Sequence, residues 1–207
     1  MTSLQLGAVA SGLVFGLSLI VAIGPQNAFV LRQGIRRSHV PTVVAICATS
    51  DVLLIAAGTA GGSVLLAHRA WAIDLARAGG ALFVLAYAGL AARQALRPAL
   101  ATPSPAAGER RAAHAGTVVA TLAFTWLNPW VYLDTVALLG SVANSRPGQQ
   151  WWFAVGASAG SVAWFVLLGF GGRLLEPVFS RPRAWRVLEA FIAAVMLATC
   201  VRLALGV

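Results

Sequence analysis

Residues 40–67 read VPTVVAICATSDVLLIAAGTAGGSVLLA, a run of twenty-eight in which Asp51 is the one charged side chain. About 20 residues of helix cross the roughly 30 Å hydrocarbon core of a bilayer, so this stretch is long enough to span it. The rest of the chain reads the same way. Of 207 residues, 59% are hydrophobic and 10% charged, and the mean hydropathy is +0.81. Such a composition belongs to a membrane protein. Hydropathy and punctuation predict an all-α membrane protein with six transmembrane helices, over residues 4–31, 41–67, 72–95, 116–142, 150–172 and 185–205. That leaves no length for a separate soluble domain, and the chain reads as one transmembrane domain. The first 31 residues lack the basic segment of a secretory signal and are expected to remain as the first span.

The formal charge is +9, and every basic residue is arginine. A basic nucleic-acid binder is one reading of that charge, but the arginines fall between apolar runs, where they set topology. Arg32, Arg36, Arg37, Arg93, Arg97, Arg110, Arg111, Arg173, Arg181, Arg183 and Arg186 follow the first, third and fifth spans. Arg69, Arg77, Arg146 and Arg202 lie on the other side. The larger set is expected in the cytoplasm, which places both termini outside. These arginines read as anchors and contacts to anionic lipid. Within the third and sixth spans, Asp74 with Arg77 and Arg186 with Glu189 have the i,i+3 spacing of local ion pairs. Cys47 and Cys200 lie in apolar stretches and read as inert packing residues. His39, His68 and His114 lack metal-ligand spacing, so neither metal nor cofactor is expected.

Prolines and the Glu109-Arg110-Arg111 cluster mark residues 98–115 as a polar loop that divides the chain into repeats of residues 1–97 and 116–207. Three spans per half make the halves run in opposite senses, an inverted repeat. Each half carries a proline in its first span, Gly24-Pro25-Gln26-Asn27 and Leu127-Asn128-Pro129-Trp130. Proline removes a backbone donor and disfavours helix at Gly24 and Asn128, which would free the carbonyls of Val21 and Thr125. Irregular backbone at membrane depth is tolerated where it meets protein or a watery cavity, so breaks at Pro25 and Pro129 point to a polar centre bearing Gln26, Asn27 and Asn128.

Asp51 and Asp134 are flanked on both sides by long uncharged runs. Aspartate at a helix centre costs roughly 2.5–3.5 kcal/mol on the insertion scale, which favours a functional reason for keeping it. Thr49 and Ser50 precede Asp51 and are candidates to orient it. No arginine lies mid-span near either acid in sequence, so a proton or a cationic substrate is expected to supply the missing charge. Arginine or lysine would fit, its carboxylate met by backbone N–H groups or by the amides of Gln26, Asn27 and Asn128. Trp130 is a candidate for a cation–π contact, with aromatic packing the alternative.

The strings Gly24-Pro25-Gln26-Asn27-Ala28-Phe29-Val30-Leu31-Arg32-Gln33-Gly34, Cys47-Ala48-Thr49-Ser50-Asp51 and Thr125-Trp126-Leu127-Asn128-Pro129 with Tyr132-Leu133-Asp134-Thr135 resemble the LysE-type lysine/arginine exporter family of bacteria. The resemblance covers nearly the whole chain. It implies a multi-pass exporter of basic amino acids in the bacterial inner membrane, driven by protons or by the membrane potential, in which aspartates matching Asp51 and Asp134 are functional. A homodimer is a candidate assembly. Exporters of neutral amino acids, of the homoserine/threonine type, are the alternative substrate class. A non-transporting assembly subunit would account for the Gly12/Gly16 and Gly156/Gly160 spacings, which suit close helix packing, but gives the aspartates no purpose. An enzyme would need a nucleophile with its base, a metal set or a redox pair, and the sequence offers none of these.

Overall fold

The computed structural model describes residues 2–22, 24–62, 78–79, 82, 84–90, 93, 107–175, 177–180 and 182–205. Among them there are helices and no strands. Helix α1 (Ser3–Ile20) starts in a capping box, where Gln5 N–H donates to Thr2 Oγ1 and Thr2 N–H to Gln5 Oε1. Helix α2 (Pro25–Ile35) begins with proline in its first turn after an extended Gly24. A tight turn with left-handed Arg37 and His39 then reverses the chain into α3 (Val40–Ala57), which ends in a π-helical turn, Gly58–Gly62. Later come α4 (Ala107–Trp126), α5 (Pro129–Tyr132), a π-helical segment (Leu133–Leu139) and α6 (Gly140–Asn144). The chain finishes with α7 (Gln150–Gly171) and α8 (Pro182–Leu205).

Among the described residues four stretches are long and apolar enough to cross a membrane: Ser3–Ile20, Val40–Gly61, Gln150–Leu175 and Arg183–Val201. They overlap the first, second, fifth and sixth expected spans, each passing the expected bound by one to three residues at one end. Most of the third lies outside the described residues, including Asp74 and Arg77, although residues 84–90 are helical. The loop expected over residues 98–115 lies outside them as far as 106. From Ala107 the chain is helical, since no proline lies between Pro105 and Pro129 and the start of the segment is rich in alanine and arginine, both strong helix formers.

The other expected local feature that fails is the Arg186–Glu189 pair. Arg186 is exposed, whereas Glu189 is buried against Arg32 and Arg36 of α2. Arg32 itself, read as a loop anchor, is a buried residue of α2. Its long side chain reaches a carboxylate across the bundle, a partner that sequence spacing does not reveal.

Glycine brings α1 and α7 into backbone contact. A Cβ at Gly12 would overlap the Phe153 carbonyl, and one at Gly156 the Val9 carbonyl. A Cβ at Gly16 would sit 3.0 Å from Ala157 Cα. Apolar contact between spans gains little from hydrophobicity in lipid, so close approach of this kind supplies the dispersion energy that holds the pair. This crossing fixes one wall of the cavity described next.

Gly156→Ala should therefore lower stability by about 1–3 kcal/mol, the usual cost of overpacking. Gly7→Ala, where nothing lies within 4 Å, should be neutral or stabilising. Thermal unfolding of the detergent-purified variants checks both.

Candidate functional site

A cavity of about 370 Å³ opens where α1 ends and α2 begins, walled also by α3, α5, the π-helical segment and α7. That is within the roughly 300–1,000 Å³ typical of small-molecule sites. Gly24, Pro25, Gln26, Asn27, Asp51, Asn128, Trp130 and Asp134 all line it. Pro129 does not line it, and instead opens α5 between two residues that do. Residues more than a hundred positions apart thus share one chamber, because the chain around Pro25 and the chain around Pro129 both border it.

Asp51 is only 4% exposed, and its Oδ2 accepts the Ser161 hydroxyl at 2.8 Å. Thr49 and Ser50 do not orient it. Thr49 is exposed, and Ser50 Oγ accepts Trp126 Nε1 at 3.1 Å. Residues one or two positions earlier in a helix point to other faces, so the hydroxyl that reaches Asp51 comes from the neighbouring helix. Asp51 and Ser161 each stand eleven positions after the first residue of their own helix, α3 and α7. Asp134, half-buried, lines the same cavity from the π-helical segment, and the two carboxylates repel one another. No arginine or histidine is among the described residues that line the chamber.

The first interruption is tied down by Asn27. Its Nδ2 donates to the carbonyls of Ile20 at 2.6 Å and Ala22 at 2.8 Å, and its Oδ1 accepts Trp164 Nε1 at 3.3 Å. The amide expected to meet a substrate carboxylate is thus occupied by the backbone at the end of α1. At the second interruption Tyr132 donates its hydroxyl to the Trp126 carbonyl at 2.8 Å, and Asn128 Oδ1 accepts the Trp130 N–H at 3.2 Å, an N-cap for α5. Gln26 differs. Its buried Nε2 has only the weakly accepting Cys47 sulfur beside it among the described residues. A strong donor in that position is available to a ligand.

The sequence reading gives Ser161 and Trp164 no role, and Tyr132 enters it only within the string that carries the family resemblance. Hydroxyls and aromatics in apolar spans are common, and their partners lie on other segments or several residues away. Nothing local in sequence marks Ser161 or Trp164; Ser161 follows Gly160 but points away from the Gly156/Gly160 face, toward Asp51.

The profile of the LysE type translocator family matches residues 17–206. A Mycobacterium tuberculosis protein whose name places it among amino-acid transporters is 50% identical over 185 residues, covering 89% of this chain and 90% of its own. The lysine exporter LysE of Corynebacterium diphtheriae is 36% identical over 220 residues, covering 93% and 96%. The arginine exporter ArgO of Yersinia enterocolitica is 39% identical over 193 residues, covering 93% of each chain. No solved structure matches.

Asn27→Ala should leave two carbonyls at the end of α1 without their donor, at about 1–3 kcal/mol of stability. Trp164→Phe, which removes a single bond to Asn27, should cost about 1 kcal/mol or less. Thermal unfolding of both variants tests this order.

Proposed function

The chain belongs to the LysE type translocator family, and on that premise we propose that it exports basic amino acids, L-arginine, L-lysine or both, from the cytoplasm as a secondary transporter. The observation that carries the reading is a chamber lined by two carboxylates, Asp51 and Asp134, with no basic side chain among its described lining. A cationic side chain brings the charge that such a chamber lacks. The names of two relatives, a lysine exporter and an arginine exporter, favour the same substrates.

In this reading the passenger's cationic end sits between Asp51 and Asp134, with Ser161 holding Asp51 in place. Its α-carboxylate takes the Gln26 amide and the first-turn N–H groups of α2, which have no side-chain cap. Asn27, Asn128 and Pro129 hold the interrupted backbone, and Trp130 offers a ring face to the cation. Taking a positive charge out of an inside-negative cell costs roughly 2.3 kcal/mol per 100 mV, before any concentration gradient. A proton entering as the cation leaves cancels that charge movement, and competition of proton and passenger for one carboxylate couples the two.

The architecture that suits this exchange is six spans in two inverted repeats, with the first and fourth interrupted at Pro25 and Pro129. The matched placement of Asp51 and Ser161 supports it. So does a second correspondence: Gly34 of α2 abuts Gly169 of α7, and Gly140 of α6 abuts Gly58 after α3. The arginine-rich end then faces the cytoplasm, and both termini lie outside.

Cells loaded with arginine- or lysine-containing dipeptides should release the free amino acid faster with this protein than without it. Asp51→Asn and Asp134→Asn should each cut that efflux about tenfold or more, the loss that roughly 1.4 kcal/mol represents, while still inserting. Ser161→Ala should cost only a few-fold, since it removes one neutral donor. Undiminished efflux from both aspartate variants would reject the site, and no efflux of either amino acid would reject the substrate class.

A further inference from the structure

Beyond the chamber α2 runs into a charged cluster that the proposed site does not use. Arg32 Nε lies 2.9 Å from Glu189 Oε1 of α8, and Arg36 Nη2 lies 3.3 Å from the same oxygen. Arg32 Nη1 also donates to the Tyr87 hydroxyl at 2.7 Å. Two guanidiniums therefore converge on one carboxylate oxygen. The other, Glu189 Oε2, is buried with no hydrogen-bond partner among the described residues. A carboxylate out of water ordinarily has both oxygens engaged, so Glu189 holds accepting capacity in reserve.

The two arginines are not equivalent. Arg32 is buried, donates to Tyr87 from Nη1, and faces Glu189 through charge, its Nε making no hydrogen bond among the described residues. Arg36 has a side chain 44% exposed, lies over the Trp185 ring at 5.0 Å and makes the longer contact to Glu189. Arg36 supplies the hydrogen bond to Glu189, whereas Arg32 Nε lies beside the same oxygen without one among the described residues, so displacing Arg36 leaves Glu189 a counter-ion but breaks the directional tie to α2.

The cluster sits where the bundle is shut. A Cβ at Gly34 would overlap the Gly169 carbonyl, and one at Gly172 would lie 3.1 Å from Gly34 Cα. Val30, one turn of α2 nearer the chamber, is buried beside Gly169. Phe29, Tyr87 and Phe124 stack with centroids 4.8–5.9 Å apart in the same core. At the corresponding Gly58–Gly140 contact the tie is a neutral hydrogen bond, Asn144 Nδ2 to the Gly58 carbonyl at 3.2 Å. Among the described residues the ion pairs are confined to the α2 end.

We infer that Arg36 and Glu189 form a cation-exchange latch: α2 stays closed against α7 and α8 while Glu189 holds Arg36, and the cationic side chain of a basic amino acid opens it by taking Arg36's place. The inference rests on the substrate reading above. Glu189 is then a specificity-determining residue at the entrance, separate from Asp51 and Asp134 in the chamber. A zwitterion with no net charge brings its own anion alongside its cation and is a poor substitute for a guanidinium.

The test uses the full-length protein in oriented membrane vesicles, with Cys47→Ala and Cys200→Ala and a reporter Val30→Cys. A membrane-impermeant maleimide is applied from the arginine-rich face. Labelling should be slow, about tenfold faster in Arg36→Gln, and slow again in the charge-preserving Arg36→Lys. Arginine or lysine should accelerate labelling of the reporter with its latch intact, and alanine should not. Arg36→Gln should not respond to either basic amino acid. Val44→Cys, beside Gly169, serves as a second reporter should Val30→Cys fold poorly. Equal labelling in Arg36→Gln and its parent would overturn the latch, and so would faster labelling in Arg36→Gln together with no acceleration of the intact-latch parent by arginine or lysine. Efflux measured on the same proteins separates the two ideas. Basic amino-acid efflux without a latch response rejects the latch alone, whereas absence of that efflux rejects the reading beneath it.

Discussion

A carboxylate withdrawn from water must recover its lost solvation from something, and at Asp51 the described structure offers one serine hydroxyl. Much of the chamber can be understood as serving that deficit. The ends of α1 and α4 leave polar backbone that side chains satisfy, Asn27 donating to the Ile20 and Ala22 carbonyls and Tyr132 to that of Trp126, rather than to the Val21 and Thr125 carbonyls expected from proline placement. Had arginine been supplied inside the chamber, the carboxylate would be neutralised permanently and the site would hold nothing. Leaving the charge uncompensated costs stability, and the close glycine crossing of α1 with α7 provides packing energy to set against it.

The parts of this arrangement legible in sequence are those where a single residue violates its surroundings. Asp51 stands in a long uncharged run, and Pro25 and Pro129 stand inside apolar segments, so each conflicts with the requirements of its own stretch. The glycine spacings in α1 and α7 were legible for the converse reason, since a periodic set of small residues has few other uses in a span. Pairing was illegible. Glu189 looks like the local partner of Arg186, and only folding shows that it faces residues 153 and 157 positions away, Arg36 and Arg32. Trp164 is likewise an ordinary aromatic until its indole N–H meets Asn27. Helix propensity also outweighed composition at residues 107–115, where charge and small residues suggested loop.

The roles of the three amides divide on the same principle. Gln26, Asn27 and Asn128 look interchangeable as ligand donors, but an amide adjoining a chain interruption has the backbone as its first claimant. Asn27 has given both N–H groups to carbonyls, and Asn128 uses its oxygen to start α5. Gln26, one residue earlier than Asn27 and on a different face of α2, escapes that demand. Its longer side chain ends beside a thiol, a poor acceptor.

The two ends of the bundle share a backbone device and differ in charge, and that difference bears on direction. Glycine against glycine lets helices close without side chains between them, at Gly34–Gly169 and at Gly58–Gly140 alike. A contact of that kind opens or shuts according to whatever else ties the helices together. At one end the tie is a neutral bond to a carbonyl, indifferent to the charge of a passenger. At the other it is a carboxylate between two guanidiniums, a bond for which a passing cation is a chemical competitor. A pore with two neutral ties would discriminate only inside its chamber. With one ionic tie, the proposed latch selects charge before the chamber is reached, at the end that the proposed orientation turns toward the cytoplasm.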